Sequence, residues 1–300
     1  MPSKKILKEL AKLAERMEVA PGKKVSLKKD FDSKDRIKGV DKKAMQEMLA
    51  EGVEYLAEAQ DKLYAQDRYA LLVIFQAMDA AGKDGTIKHV MSGLNPQGCQ
   101  IYSFKAPSAE ELDHDYLWRC YKALPERGRI GIFNRSYYEE VLVTKVHPEI
   151  IQKQKMPDGL KDKGIYDRRY DEIRNFEKYL VNNGIRVVKF FLNVSRDEQK
   201  RRFLERIDTP AKNWKFSSSD ALERGCWPAY MKAYEDVFHQ TSTKYAPWYV
   251  VPADDKPMMR VAVAYVLARE MTRLKLAYPK VGEAQKKELE EAKRILTSEK

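Results

Sequence analysis

Five short apolar runs separated by helical segments are the feature that most constrains the fold of this chain. The first run, at residues 70–75, has no polar alternation, which is typical of a strand buried on both faces of a parallel sheet. The other four lie at 100–104, 129–133, 187–194 and 248–251. Strands that alternate with helices build parallel βαβ units, so the sequence predicts a doubly wound α/β fold. We expect its ligands beyond the carboxyl ends of the strands.

The net charge and the cysteine content narrow the classes of function that the sequence allows. The formal net charge of +11 favours a polyanionic partner, which could be nucleic acid, an anionic membrane or polyphosphate. Three cysteines without CxxC spacing argue against a disulfide framework or a zinc site. The basic N-terminus lacks the apolar run of a signal peptide, and no apolar stretch reaches membrane-spanning length. We therefore expect a cytoplasmic protein with no membrane partner.

The turn after the first apolar run resembles a Walker A loop. Small residues and a following helix N-terminus allow backbone N–H groups to bind phosphate, and Lys83 would neutralise the transferring phosphoryl group. Ala77 replaces the first glycine and Asp84 replaces the usual magnesium-binding Ser/Thr, so Asp79 becomes the candidate metal ligand. The alternative is an ordinary strand-to-helix turn. The predicted phosphate-binding residues here are Ala80, Ala81, Gly82, Lys83, Asp84, Gly85 and Lys88.

The third run ends in a segment with Walker B character. Asn134 stands where an acid is expected, and Glu139 could supply the carboxylate instead. Arg135 lies where a cation could meet phosphate oxygens. The alternative is a helix N-cap at Asn134 or Ser136 followed by acids that suit the helix dipole, and both interpretations can hold.

A basic stretch follows the fourth run. Residues 200–215 contain six basic and two acidic residues, which is typical of the lid that closes over phosphates in many P-loop kinases. The alternative is a solvated basic helix face. Further candidate phosphate contacts are Asn134, Lys215 and Arg119, which lies on a predicted helix before the third run.

These motifs, taken in order, resemble those of the polyphosphate kinase 2 family, and more narrowly its class III. They span residues 75–256, preceded by KKDFD at 28–32. The stretches that carry the resemblance are FQAMDAAGKDGTIKHVMSGLNPQG, HDYLWR, IGIFNRSYYEEVLVTKVHP, EQKRRFLERI, KNWKFS and TSTKYAPWYVVPADDK.

The resemblance implies a three-layer αβα P-loop kinase fold of thymidylate-kinase type, with a five-stranded parallel sheet. We expect an N-terminal helical extension over 1–66, packed on a phosphotransferase domain over 67–300 with a lid at about 198–226. The implied reaction is reversible, direct in-line transfer from inorganic polyphosphate to AMP and ADP, giving ADP and ATP. It implies Mg²⁺, with Mn²⁺ as an alternative, and a homo-oligomer that is a dimer or a tetramer.

The resemblance also assigns residues. Asp79 and Lys83 match the Walker A catalytic pair, and Arg135 matches the Walker B arginine. Glu139 matches a glutamate associated with the use of AMP as well as ADP. Asp79 and Glu139 are the expected metal ligands, whereas Asn134, at the class I aspartate position, is a doubtful one. The expected polyphosphate contacts in the lid are Arg201, Arg202 and Arg206.

Two other functions fit part of the sequence. An ATP-dependent nucleoside monophosphate kinase would use the same loop, but the basic excess and the missing Ser/Thr after Lys83 argue against it. A basic nucleic-acid-binding protein fits the charge, yet the sequence contains no helix-turn-helix, RNP or zinc-finger pattern. We therefore expect no nucleic-acid partner.

Overall fold

The computed structural model describes residues 4–299, except for the side chain of Lys215. Within that range five parallel strands form one sheet in the order β2-β3-β1-β4-β5. The strands are β1 (Ala70–Gln76), β2 (Cys99–Ser103), β3 (Ile130–Asn134), β4 (Ile185–Asn193) and β5 (Trp248–Pro252). The predicted doubly wound α/β sheet is confirmed, and each strand lies within two residues of its apolar run at both ends.

Burial follows position in the sheet. β1 is central, pairs with β3 and β4, and has all seven residues buried. β2 was predicted as a buried strand, but it lies at the edge of the sheet, where none of its residues is fully buried and Ile101 is 53% exposed. β5, at the other edge, is fully buried because the helices Lys4–Met17 and Lys256–Arg273 pack on it, whereas β2 contacts mainly β3 and the turn before it, so edge position alone does not set burial.

Fourteen α-helices accompany the sheet in the described part of the chain. They are α1 (Lys4–Met17), α2 (Leu27–Asp30), α3 (Lys42–Gln66), α4 (Lys83–Val90), α5 (Ala109–Leu112), α6 (Trp118–Lys122), α7 (Glu139–Val146), α8 (Glu149–Lys153), α9 (Ile165–Asn182), α10 (Arg196–Ile207), α11 (Ser218–Glu223), α12 (Trp227–Thr241), α13 (Lys256–Arg273) and α14 (Glu283–Ser298). None of them is long and apolar enough to cross a bilayer.

Two groups of helices cover the sheet. α13 packs on α3, α4 and the strands β4 and β5, while α7, α9 and α12 pack on one another and α9 contacts β4. Within the predicted extension over 1–66, α1 packs on α13 and β5, and the backbone N–H of Val19 donates to the Trp248 carbonyl at 2.9 Å. α3 lies in the same helical layer as α13, so its apolar face is part of the core.

A buried polar network supports the segment after β3. The Lys189 ammonium and the Glu177 carboxylate are fully buried and 2.6 Å apart. Glu177 also accepts hydrogen bonds from the hydroxyls of Tyr137 (2.9 Å) and Tyr138 (2.8 Å). Breaking a buried ion pair leaves an uncompensated charge, so this network fixes the two tyrosines two and three residues after Arg135.

Candidate active site

The Walker A-like loop joins β1 to α4 in a strained conformation. Gly82, the N-cap of α4, has φ 112°, and Ala80 has φ 60°, which is uncommon for a residue with a Cβ. The Lys83 ammonium donates to the Ala77 carbonyl at 2.9 Å, so the side chain folds back across the loop. Burial lowers the pKa of Lys83, and the Asp79 carboxylate opposes that shift.

The segment after β3 reaches the same place because β3 is the direct neighbour of β1. Phe75 pairs with Asn134, so the two strands end side by side. Arg135 has φ 64°, and its guanidinium donates to the Asp79 carboxylate at 2.9 Å. The Asn134 amide donates to the Asp84 carboxylate at 2.7 Å. Backbone strain of this kind at both loops is typical of functional sites.

Glu139 completes a cluster of four charged side chains. It is the first residue of α7 and is half-buried. Burial raises the pKa of the Glu139 carboxyl, while the nearby cations Arg135 and Lys83 oppose this. The structure thus brings together the four predicted catalytic residues, Asp79, Lys83, Arg135 and Glu139, which carry two positive and two negative charges when all are ionised.

A cleft of about 730 Å³ opens over the Walker A-like loop. The loop residues 79–85 line one side, as predicted, with Asn134 and Arg135 beside them. The other sides carry basic residues from several elements, namely Lys105, Arg206, Lys212, Lys256 and Arg260. Such a concave, basic surface at the carboxyl end of a parallel sheet suits a ligand with several phosphate groups.

Two of these basic residues, Lys256 and Arg260 in the first turns of α13, were not predicted as phosphate contacts by the sequence analysis. Arg260 Nε is buried without a hydrogen-bond partner, and burial lowers the pKa of both side chains. The i, i+4 spacing directly after β5 was the available signal, since residues that follow a strand face the ligand edge of the sheet.

Arg202, predicted as a polyphosphate contact, lines the basic cleft, but the protein's own carboxylate and carbonyl groups engage its guanidinium. Its guanidinium is buried and Nε donates to Glu198 at 2.7 Å. The two terminal nitrogens donate to the carbonyl oxygens of Ala80, Ala81, Ala253 and Asp254. Because these bonds engage all three nitrogens of the guanidinium, Arg202 ties α10 to the Walker A-like loop and to the loop after β5.

The other predicted lid residues differ from one another. Arg201 is exposed and binds Glu198 at 2.7 Å and Glu205 at 3.4 Å on its own helix, outside the cleft lining. Arg206 lines the cleft, in agreement with the prediction that it faces the ligand. Gln199, which the sequence analysis did not select, is buried and donates to the Asp79 carbonyl at 2.9 Å.

Two further predicted phosphate contacts lie outside the basic cleft, and a third falls on a side chain outside the described residues. Lys88 is exposed on α4 and is not among the described residues that line the cleft. Arg119 is buried, donates to the Lys105 carbonyl at 2.8 Å and pairs with Glu111 at 3.5 Å. The side chain of Lys215 lies outside the described residues.

Arg119 instead lines a second cleft, of about 570 Å³, between the segment after β2 and helix α9. Its walls carry several carboxylates, from Glu111, Asp113, Asp115, Glu140 and Glu172. The His114 ring stacks on Trp118 at a centroid distance of 3.8 Å at this cleft. The same lining carries the cations Arg119, Lys155, Arg168 and Arg169, so this cleft is of mixed charge, whereas cations outnumber acids in the cleft over the Walker A-like loop.

Comparisons with known proteins agree on one family. The family described as Polyphosphate kinase 2 (PPK2) matches residues 39–278. The chain is 57% identical to an ADP-polyphosphate phosphotransferase of Rhodopseudomonas palustris over 81% of this chain and 84% of that protein. It is 40% identical to an AMP/ADP-polyphosphate phosphotransferase of Meiothermus ruber over 90% of this chain and 97% of that protein.

A solved structure extends the likeness to the fold. The crystal structure of Polyphosphate Kinase 2 from Arthrobacter aurescens TC1 superposes with a TM-score of 0.75 at 40% identity. The match covers 89% of this chain and 96% of that one. Sequence and three-dimensional similarity therefore extend over nearly the same part of the chain.

Proposed function

Because this chain belongs to the polyphosphate kinase 2 family, we propose that it transfers the terminal phosphoryl group of inorganic polyphosphate to AMP and ADP, giving ADP and ATP. The observation that carries this proposal is the convergence of Lys83 and Arg135 with Asp79 in a basic cleft. The names of the two relatives describe the same reaction class, one with ADP and one with AMP or ADP.

The two clefts support a division of the substrates. Polyphosphate carries a dense negative charge, so it fits the basic cleft along Arg206 and Arg260. The nucleoside part of the acceptor fits the second cleft, where Asp115 and Glu172 keep lone pairs that can accept hydrogen bonds from ribose hydroxyls and the adenine amino group.

The donor set at the centre fits a hard divalent cation. Asp79, Asp84 and Glu139 offer carboxylate oxygens, and oxygen ligands are those that Mg²⁺ and Mn²⁺ prefer. Asp79 and Glu139 would hold the ion. When bound, it would neutralise charge on the phosphate oxygens.

The remaining steps fall to the chain itself. The Lys83 ammonium and the Arg135 guanidinium would neutralise the equatorial oxygens of the transferring group, and the backbone N–H groups at the start of α4 would hold the adjacent phosphate. No histidine is found among the described residues that line the basic cleft. This supports direct in-line transfer without a phosphohistidine.

A simple assay tests the proposed function. The protein is incubated with Mg²⁺, AMP and polyphosphate, and ADP and ATP are measured, with GMP and GDP as alternative acceptors. A parallel reaction contains ATP and AMP without polyphosphate. We expect product only when polyphosphate is present. ADP formed as fast from ATP alone would favour the nucleoside monophosphate kinase, and no product in either reaction would favour a binding protein.

We also propose a cytoplasmic homo-oligomer, a dimer or a tetramer, with no nucleic-acid or membrane partner. The chain carries +11 formal charges, and the family reaction accounts for a basic surface without either partner. Light scattering coupled to size exclusion measures the mass of the assembly. A mass of one chain at micromolar concentration would contradict the oligomer.

Replacing Glu139 with asparagine should reduce phosphorylation of AMP more than that of ADP, by about tenfold relative to ADP, or roughly 1.4 kcal/mol of barrier. Glu139 lies close enough to Lys83 and Arg135 for its charge to affect both. Initial rates with each acceptor at saturating polyphosphate measure the ratio. Glu139→Asp, which keeps the carboxylate, is the control. Equal losses for both acceptors would leave Glu139 a general metal or folding role.

Replacing Arg260 with glutamine should raise the KM for polyphosphate severalfold and flatten its dependence on salt. Arg260 lines the basic cleft and has a buried, unpaired Nε, whereas Arg201 is exposed and paired with two glutamates. Arg201→Gln is the matched control and should keep the wild-type slope, because Arg201 lies outside the cleft lining and salt largely screens exposed charges more than about 8 Å apart. If Arg201→Gln flattened the salt dependence of the KM and Arg260→Gln did not, polyphosphate would bind along the outer face of α10.

A further inference from the structure

Side chains from two segments that are distant in sequence converge at the base of the lid. His147 follows the last residue of α7, Glu223 ends α11, and Cys226 precedes α12. One ligand atom from each of them lies within 4.8 Å of the other two, and all three residues are half-buried. They are outside both clefts and no part of the phosphoryl transfer uses them.

Neighbouring groups orient two of these side chains. His147 Nε2 is 3.1 Å from each carboxylate oxygen of Glu223, and Nδ1 is 3.5 Å from Glu149. The Tyr230 hydroxyl hydrogen bonds to Glu223. A neutral imidazole has a single N–H, so it can donate to only one of the two carboxylates. A proton or a metal ion on the second ring nitrogen gives both carboxylates a positively charged partner.

We propose that His147, Glu223 and Cys226 form a zinc-class metal site. Imidazole, carboxylate and thiolate are the ligands that Zn²⁺ takes, while Mg²⁺ prefers oxygen alone, so this site is chemically separate from the phosphoryl-transfer centre. Zinc bond lengths of about 2.0–2.3 Å place the ligand atoms of a tetrahedral site about 3.3–3.5 Å apart. Side-chain rotations that move the ligand atoms by roughly 1 Å therefore bring all three within bonding distance of one ion. A water molecule fills the fourth position. Glu149 and Tyr230 hold the ligands in orientation, as outer partners do at zinc sites.

Metal binding at this site fixes the lid to the core. Glu223 and Cys226 flank Arg224, whose guanidinium donates to Gln199 at 2.7 Å. Gln199 in turn donates to the Asp79 carbonyl. His147 belongs to the end of α7 opposite Glu139, about 12 Å away along the helix. The bound ion therefore joins the C-terminal end of the lid to α7, which also carries Glu139.

Cobalt titration tests the site directly, because Co²⁺ replaces Zn²⁺ and reports its ligands by absorption. We expect one equivalent of Co²⁺ to give a sulfur-to-metal charge-transfer band in excess Mg²⁺, and Zn²⁺ to remove it. Binding releases the thiol proton to solvent, so affinity should fall as the pH is lowered. Cys226→Ser should abolish the band and His147→Gln should weaken binding at least about tenfold. Cys99→Ser is the matched control, since Cys99 is also half-buried but bonds to Gln60.

Limited proteolysis gives a second measurement that does not depend on catalysis. Zinc should slow tryptic cleavage within 198–226 in the wild type and in Cys99→Ser, and leave the rate in Cys226→Ser unchanged. All three proteins should have the same activity with Mg²⁺ when zinc is absent, so failure of this site is distinguishable from failure of the proposed function. A wild type without the thiolate band, or a Cys226→Ser variant that keeps it, would overturn the proposal.

Discussion

Replacing Lys83 with alanine should lower the rate of phosphoryl transfer by at least about 10³-fold, as loss of a transition-state cation does in other phosphotransferases. The Lys83 side chain is half-buried and folded onto the Ala77 carbonyl, and burial lowers its pKa. Phosphate oxygens supply the compensating charge, so the interaction strengthens as negative charge gathers on the transferring group. Initial rates with saturating ADP and polyphosphate measure the loss.

The fold should survive this substitution, because the described Lys83 side chain makes one hydrogen bond, to the Ala77 carbonyl. The melting temperature should therefore stay close to that of the wild type. Lys88→Ala is the matched control, since Lys88 lies on the same helix but is exposed outside the cleft. An activity of Lys83→Ala within about tenfold of wild type, or roughly 1.4 kcal/mol, would remove Lys83 from the mechanism.

Replacing Asp79 with asparagine should lower the rate by about 10²-fold or more and raise the Mg²⁺ concentration needed for half-maximal activity. Asparagine keeps an oxygen that can accept from Arg135, so the 2.9 Å contact survives while the negative charge is lost. The loss then reports on the cation rather than on the position of Arg135. Rates over a Mg²⁺ series, with each acceptor, measure both effects.

Asp84→Asn provides the comparison for Asp79. Both acids line the basic cleft, but Asp84 accepts from Asn134 rather than from a cation. We expect a smaller loss and a smaller change in Mg²⁺ dependence for Asp84→Asn. If instead Asp84→Asn shifted the Mg²⁺ dependence and Asp79→Asn did not, Asp84 would be the metal ligand, at the position where a P-loop usually carries Ser or Thr.

The sequence predicted the sheet because its strands carry a local signal. β1 is apolar from Ala70 to Phe75, and β4 has apolar residues at six of its nine positions, as a strand covered on both faces requires. The position of the charged cluster was predictable for a related reason, since parallel strands all end at one edge. Asp79 and Arg135 each follow a predicted strand, and the pairing of β1 with β3 in the structure makes them neighbours.

The roles of individual cations could not be predicted in this way. Arg201 and Arg202 are adjacent in one basic run, yet the first is exposed and the second is buried against backbone carbonyls. A helix turns by about 100° per residue, so neighbours in sequence face different surroundings. Which of them meets the cleft depends on how α10 packs against the loops after β1 and β5.

The sequence alone determined the order of strands and helices, the Walker-like loops and the family, because each depends on residues that are close together in the chain. Only the tertiary structure decided which charged side chains remain available to a ligand. It brought Arg260 into the basic cleft, used Arg202 to hold the loops, and placed Cys226 beside His147 across 79 positions of sequence. Such long-range contacts are set by the packing of whole elements, and no local pattern of residues records them.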